Sequence, residues 1–570
     1  MEKIKKLRKQ LIKEKVDGYI IPKNDEFFSE YISNHNDRLK FISNFSGSFG
    51  FALILKNKNY LFVDGRYTLQ AIQQSGKYFN VVTFPNKMPK DILKNNLLIG
   101  FDPKLFTNNI LTAFFGKGLK LKPLKNNLVD QIWKRRIKKN KHKFYNLPYK
   151  SLVDNYQSKI NKVINVIRKT GADFQFITSS ENNAWLLNIR GGDVNYSPIP
   201  HCYILIDNLK NINFFCDMSK ISKPLIKKFK KVKFFEVSSI NLVLSKINKK
   251  KFIVDKNTCS FYFEEIIKKN NNILDINDPI YFFKAIKKDS EIKNIKTAHI
   301  YDGAALTKYL FWLKRNYQKK NITEISASQK LYEFRKRNKS FKYLSFPTIS
   351  GTGPNGAIIH YKASKKTNRK LTNGDIYLVD SGGQYEFGTT DVTRTISLNN
   401  TNKRVKNIFT RVLKGHIAVT KFKLNKNTTG SIIDKEARKY LKQIGLNYSH
   451  GTGHGVGYFL NVHEGPQAIT QNNKIKFQEG MIVSNEPGYY EKNKFGIRIE
   501  NLIFVKKGVK KNYFENLTMV PIDKSLIEKK MLNKFEEKWL NEYHNEVFNN
   551  LKTFMKKDEI TDLREACSAI

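Results

Sequence analysis

Short apolar runs alternate with helical patterns twice over in the first half of the chain, and that rhythm leaves little besides an α/β fold open to it. In the first pass Gly18-Tyr-Ile-Ile-Pro22, Phe51-Ala-Leu-Ile-Leu55 and Tyr60-Leu-Phe-Val63 read as short buried strands, and Tyr67-Thr-Leu-Gln-Ala-Ile72 starts a helix. After the basic stretch Lys134-Arg-Arg-Ile-Lys-Lys-Asn-Lys-His-Lys143 the rhythm restarts. A helical pattern covers 156–168, a strand begins at Phe174, a helix surrounds Ala184 and another strand begins at Cys202. Two α/β domains are expected, at 1–133 and 134–289, and their similar order of strand, polar turn and helix suggests distant repeats. A third region, 290–522, opens on a long helical pattern from Ser290 and is richer in glycine, histidine and carboxylates. The remainder, 523–570, carries apolar stripes around Trp539-Leu-Asn-Glu-Tyr-His544 and reads as amphipathic helices packing on the body or on another subunit. The fold class expected is therefore α/β (α+β).

The 570 residues include 102 Lys+Arg against 50 Asp+Glu, a formal net charge of +52. Such a charge would draw polyanions to one face if it were gathered there. Lysine is instead spread along the whole chain among Asn, Ile and Phe, as a general compositional bias produces, so no dedicated nucleic-acid role is expected and 134–143 reads as a solvated linker. No run approaches the roughly 18 apolar residues of a membrane span, so a soluble protein is expected. Cys202, Cys216, Cys259 and Cys567 stand far apart with no Cys-x-x-Cys pair, which points away from a disulfide framework or thiolate metal site and towards a reducing compartment. The basic amino terminus runs straight into the first strand, giving no signal peptide.

Chemistry concentrates between positions 380 and 500. In Ile376-Tyr-Leu-Val-Asp380-Ser-Gly-Gly-Gln-Tyr-Glu-Phe-Gly-Thr-Thr-Asp391-Val-Thr-Arg-Thr395 a hairpin would bring Asp380 and Asp391 together. Close carboxylates repel and lose hydration, so they require a proton, an arginine or a metal. Taken alone, the segment also fits a turn-capping Asp380 and an Asp391–Arg394 pair. His450-Gly-Thr-Gly-His454-Gly-Val-Gly-Tyr-Phe-Leu-Asn-Val-His463-Glu464-Gly-Pro466 places three of ten histidines within fourteen residues, with glycines that permit close backbone approach. Their spacing suits a loop and strand rather than a helix face, and no Lys-Ser/Thr follows as a P-loop requires. Glu486 in Ser484-Asn-Glu-Pro-Gly-Tyr-Tyr490 and Glu500 in Gly496-Ile-Arg-Ile-Glu-Asn501 each end an apolar run. Alone, each reads as a turn acid; together, one imidazole and four carboxylates can hold two divalent cations and balance their charge.

This order of residues, with the surrounding words Val-Asp-Ser-Gly, Thr-Thr-Asp-Val-Thr-Arg-Thr, Gly-His-Gly-Val-Gly and Glu-Pro-Gly, closely resembles the dinuclear metallopeptidases of the pita-bread fold. Within them it resembles the three-domain cytosolic Xaa-Pro aminopeptidases. The likeness extends to the segments from Ser345 to Tyr361, Trp185 to Asp193 and Asp64 to Tyr67, and to the tail around Trp539. It implies two creatinase-like N-terminal α/β domains, a pita-bread catalytic domain at 290–522 and a helical extension at 523–570. It further implies that Asp380 binds one metal, that Asp391 and Glu500 bridge both, and that His454 and Glu486 hold the second. His360, His450 and His463 match active-site histidines outside the ligand set; Tyr490 and Arg498 match supporting residues.

The activity implied is hydrolysis of the bond before a proline in second position, by hydroxide generated from water bridging the cations. Glu486 would take that water's proton, and His463 or His360 would bond the oxygen that gains charge. His360 would also help line a pocket for the proline ring. Hard oxygen donors with one imidazole favour Mn²⁺, with Co²⁺ or Zn²⁺ able to occupy the same ligands. A cytoplasmic homodimer acting on peptides is the expectation. The alternatives are a proline dipeptidase limited to Xaa-Pro dipeptides and a non-catalytic binding protein on the same fold.

Overall fold

The computed structural model describes residues 2–94, 96–138, 140–399 and 401–570. Two compact units emerge, Met1–Leu147 with Asp154–Tyr281, and Pro148–Val153 with Phe282–Ile570.

The first unit holds two six-stranded sheets. One runs, edge to edge, Asn80–Phe84, Asn59–Asp64, Phe51–Leu55, Gly18–Pro22, Leu98–Phe101 and Lys120–Pro123; the other runs Val232–Glu236, Ile212–Cys216, Cys202–Asp207, Phe174–Ile177, Lys251–Val254 and Asn272–Asp275. Neighbours in both follow the same sense: parallel, antiparallel, antiparallel, parallel, parallel. The two sheets thus share one topology, a likeness the similar order of strand, turn and helix suggests but does not specify. Gly18–Pro22 is buried at every position because helices cover both faces. Leu7 and Leu11 of Glu2–Lys13 fill one side, and Leu111 and Phe114 of Asn108–Phe115 fill the other.

Lys139 of the basic stretch lies outside the described residues. The described residues around it form neither helix nor strand, but they are not simply solvated. Arg136 pairs with Asp130, and the Asn140 amide donates to the Gly192 carbonyl at 2.5 Å. Ionic and polar anchors thus hold the linker down, which its charge count does not reveal.

The second unit opens on the 28-residue helix Asp289–Asn316. A three-stranded antiparallel sheet orders Ile349–Thr352, Ile376–Ser381 and Val392–Ser397. A six-stranded antiparallel sheet orders Lys423–Leu424, Asn512–Asn516, Asn501–Lys506, Ile482–Asn485, Gly453–Gly455 and Glu464–Ile469. Gly488–Glu491 and Phe495–Arg498 form a further hairpin. Helices Lys403–Thr420 and Gly430–Lys442 supply Val419, Ile433 and Ala437 to the core over Val483 and Ile503. The tail packs on its own body: Trp539, Leu540, Tyr543 and Val547 of Lys534–Leu551 join Val412, Leu413 and Ile417 in one core. No helix among the described residues is long and apolar enough to cross a membrane.

Candidate metal centre

Strand Ile376–Ser381 is buried throughout and delivers Asp380 opposite Thr393 of Val392–Ser397. Asp391 stands one residue before that ladder begins. The expected hairpin is more elaborate than a simple turn, since Gly383–Tyr385 pairs with Gly388–Thr389 on one side and with Phe341–Leu344 on the other. His454 is central in Gly453–Gly455, where the flanking glycines are sterically required. A Cβ on Gly453 would meet the Ser484 carbonyl oxygen at 1.9 Å, and one on Gly455 the Glu464 carbonyl oxygen at 2.3 Å. Glu486 follows strand Ile482–Asn485, and its N–H donates to the Thr452 carbonyl at 2.8 Å. Glu500 joins two strands rather than ending one, and its N–H donates to the Thr393 carbonyl at 3.2 Å.

These elements converge. One ligand atom from each of Asp391, His454 and Glu500 lies within 4.8 Å of the others. His454 Nε2 is 3.5 Å from Asp391 Oδ2 and 3.4 Å from Glu486 Oε1. The imidazole's other nitrogen, Nδ1, lies 2.9 Å from the Gly455 carbonyl, which can only accept, so Nδ1 carries a proton and Nε2 faces the carboxylates.

A second shell of bonds orients this group. Thr393 Oγ1 donates to Glu500 Oε2 at 2.6 Å, and Ser484 Oγ donates to Glu486 Oε1 at 2.9 Å. Arg498 donates to Asp380 Oδ2 at 2.6 Å, to Tyr490 Oη at 2.6 Å and to Thr393 Oγ1 at 3.1 Å. Tyr490 Oη lies 2.9 Å from His450 Nε2, while His450 Nδ1 is held by the Gly451 carbonyl at 2.7 Å. The tyrosine hydroxyl thus accepts from Arg498 and bridges it to His450. His450 Nδ1 stands 3.9 Å from Glu486 Oε2, and the His463 ring meets the His454 ring edge-on at 4.3 Å. His360 is half-buried on the loop that follows Gly353–Ala357 and leads to the Asp380 strand.

Electrostatics mark the cluster as short of positive charge. Burial pushes Asp391 up to about 6 against the hydrogen bond from His454, and the Asp380 charge adds to the rise. Burial, then the charges of Asp391 and Glu486, drive Glu500 well above the usual carboxylate range. Burial opposes a charged imidazole at His454, yet the Asp391 bond and the Glu486 charge raise it to about 9. Asp380 Oδ1 and Asp391 Oδ1 are buried without a hydrogen-bond partner. Buried carboxylate oxygens without donors, set beside an imidazole whose tautomer suits ligation, fit divalent cations.

The Asp391–Arg394 pair that the sequence left open does not form. Three positions apart along an extended chain, the two side chains leave on opposite faces, and Arg394 bonds Pro521, Val520, Asn501 and Tyr543 instead. Thr393, Ser484 and Arg394 are partners that sequence reasoning missed. The period of two that places Asp391 and Thr393 on one face was the available signal for Thr393. Ser484 stands two residues before Glu486 and carries the same signal, whereas Arg394 acts through residues brought in by the fold.

Residues 293–507 match the model of metallopeptidase family M24, and 512–570 match the C-terminal region of peptidase M24. Residues 3–132 and 135–291 each match a creatinase/prolidase N-terminal domain. Fold and site together define a metallopeptidase with two creatinase-type domains ahead of a pita-bread M24 domain. The chain is 37% identical over 602 residues to a probable Xaa-Pro aminopeptidase P of Laccaria bicolor, covering 100% of this chain and 93% of the relative. It is 36% identical to aminopeptidase P2 of Arabidopsis thaliana, covering 95% of this chain and 84% of the relative. The structure of an X-prolyl aminopeptidase from Caenorhabditis elegans, described as a cytosolic enzyme with a di-nuclear active site, superposes with a TM-score of 0.95 at 31% identity, covering 100% and 99% of the two chains. The chain belongs to the Xaa-Pro aminopeptidase P family. A prolidase from Pyrococcus furiosus, 24% identical and matching 62% of this chain and 98% of its own at a TM-score of 0.51, shares the fold alone.

Proposed function

We propose that the protein is a dinuclear-metal aminopeptidase that hydrolyses the bond between an N-terminal residue and a proline in second position. Asp380, Asp391, His454, Glu486 and Glu500 would hold the cations, with Asp391 and Glu500 shared between them, and Mn²⁺ suits this hard, oxygen-rich set best. When bound, the cations supply Lewis acidity and bring the pKa of attacking water towards neutrality. Glu486 accepts the proton of that water and passes it to the proline nitrogen, which must be protonated to leave. Ser484 and the nearby His450 keep its carboxylate in place. His463 or His360 would donate to the former carbonyl oxygen as charge grows there. Arg498 and Tyr490 hold Asp380 and His450 in register, so the site changes little as the reaction proceeds.

The Xaa-Pro amide is tertiary and offers no N–H. A site for it must therefore recognise ring shape, and His360 is assigned to that pocket. A cytoplasmic homodimer is part of the same reading; the similar C. elegans enzyme is described as cytosolic.

The observation that carries the reading is the buried carboxylate cluster with donor-free oxygens, in a chain alike end to end to aminopeptidases of this kind. Hydrolysis of Arg-Pro-Pro by Mn²⁺-loaded protein tests it, with free arginine and Pro-Pro as the expected products. Cleavage of Arg-Pro but not Arg-Pro-Pro would establish a proline dipeptidase instead. Absence of any cleavage would leave a non-catalytic binding protein.

A further inference from the structure

Arg394 is a buried cation without a buried anion. Its side chain is 1% exposed, yet among the described residues no carboxylate pairs with it. Other deeply buried arginines of this unit have one: Arg335 binds Asp302, and Arg498 binds Asp380. Arg394 instead makes six hydrogen bonds to neutral acceptors. Nε donates to the Pro521 carbonyl at 3.0 Å, and Nη1 donates to the carbonyls of Thr393 at 2.8 Å and Glu500 at 2.6 Å. Nη2 donates to Asn501 Oδ1 at 2.8 Å, the Val520 carbonyl at 2.7 Å and Tyr543 Oη at 2.9 Å.

Burying an uncompensated charge costs more than burying a neutral donor that could serve the same carbonyls. Two features of its surroundings account for a guanidinium here. Its planar fork ties three separate segments at once, the Thr393 strand, the Glu500–Asn501 junction and the Val520–Pro521 turn, which a lysine or an amide could not span. It also touches the backbone of Glu500, whose side chain lies in a cluster with more carboxylates than cations. Tyr543 comes from the C-terminal helix Lys534–Leu551 and itself donates to the Val520 carbonyl at 2.8 Å. The tail is thereby wired to the Glu500–Asn501 junction through Arg394.

We propose that Arg394, braced by Tyr543, is a positioning residue that fixes the Glu500 carboxylate for metal binding before any cation arrives. This rests on the dinuclear reading of the centre. Its role is preorganisation, so it is read in metal affinity and not only in turnover.

The test is Mn²⁺ titration by calorimetry of metal-stripped full-length wild type, Arg394→Met, Arg394→Lys and Tyr543→Phe, with thermal unfolding of each recorded with and without Mn²⁺. Wild type is expected to bind two ions. Arg394→Met should weaken the weaker site at least tenfold, narrow the gap between the two unfolding temperatures, and regain rate on Arg-Pro-Pro as Mn²⁺ is raised. Arg394→Lys should fall between, and Tyr543→Phe should weaken that site two- to threefold. A merely structural arginine would lower both unfolding temperatures equally and leave Mn²⁺ affinity unchanged, which overturns the proposal. Should Arg394→Met fail to fold, unchanged affinity in Tyr543→Phe overturns it equally. Wild type that binds no Mn²⁺ would instead remove the dinuclear reading, and this inference with it.

Discussion

Two acidic clusters in this protein solve the same problem in different ways. In the first unit Glu26 and Asp130 lie against Arg38, and Asp130 also meets Arg136, so two carboxylates face two guanidinium groups. In the second unit Asp380, Asp391, Glu486 and Glu500 converge on His454, with Arg498 bonded to Asp380 and His450 beside Glu486. The first pairs its carboxylates with guanidinium groups of the chain; the second has more carboxylates than cations, a deficit that divalent cations can fill. Buried acid is thus not in itself a site. What distinguishes a site is buried acid whose counter-charges the chain withholds.

The largest effect expected is on turnover. Glu486→Gln, which would lose the proposed proton acceptor and a proposed ligand together, should reduce Arg-Pro-Pro hydrolysis by about 10³-fold or more in Mn²⁺-saturated protein; wild-type initial rates would remove Glu486 from that role. Next comes the self-contained cluster. Arg38→Met leaves Glu26 without that partner and Asp130 with Arg136 alone, and should cost about 1.5 kcal/mol of stability in denaturant unfolding, to the same extent with or without Mn²⁺.

Asp391→Asn behaves in the opposite way. Removing one of several mutually repelling carboxylates should leave the metal-free protein at least as stable as wild type. It should also abolish the stabilisation by Mn²⁺, about 2.7 kcal/mol for wild type at a hundred times Kd. A fall in stability without metal, comparable to that of Arg38→Met, would erase the distinction between the clusters.

The smallest effect is one of pH. His454 is raised to about 9, so its stabilisation is complete below its ordinary value near 6.5 and is lost as pH climbs through 9. Burial holds His416 and His544 down to about 3, so they oppose stability only below about pH 6.5 and are silent above it. Chelated protein should therefore unfold a few degrees lower at pH 9 than at pH 7, while Mn²⁺-loaded protein should not, since a cation takes the place of the proton. Parallel pH profiles in the two states would contradict this.

Much of this arrangement was legible in the residues themselves. Apolar runs of four to six residues such as Ile376-Tyr-Leu-Val locate their strands because a strand buried on both faces needs no alternation. The acids at their ends stand out because unpaired carboxylates beside such runs are costly. The repeated rhythm of the first half suggested two α/β domains of similar build, without the strand order that their sheets share. Arg394 was not legible, because five of its six partners lie more than a hundred positions away and a local pairing with Asp391 looked equally good until strand alternation separated them. The small hairpin inside the 380–391 turn was hidden by its glycines, which mark freedom of the backbone but not what it pairs with. The anchoring of the basic linker was hidden because charge composition counts solvated and paired lysines and arginines alike.

The most direct measurement of the central claim is metal content set beside activity in one preparation. Protein purified without chelator should carry two divalent ions per chain, lose Arg-Pro-Pro hydrolysis when they are stripped, and recover it when Mn²⁺ is returned. Full activity with fewer than one divalent ion per chain would contradict the account.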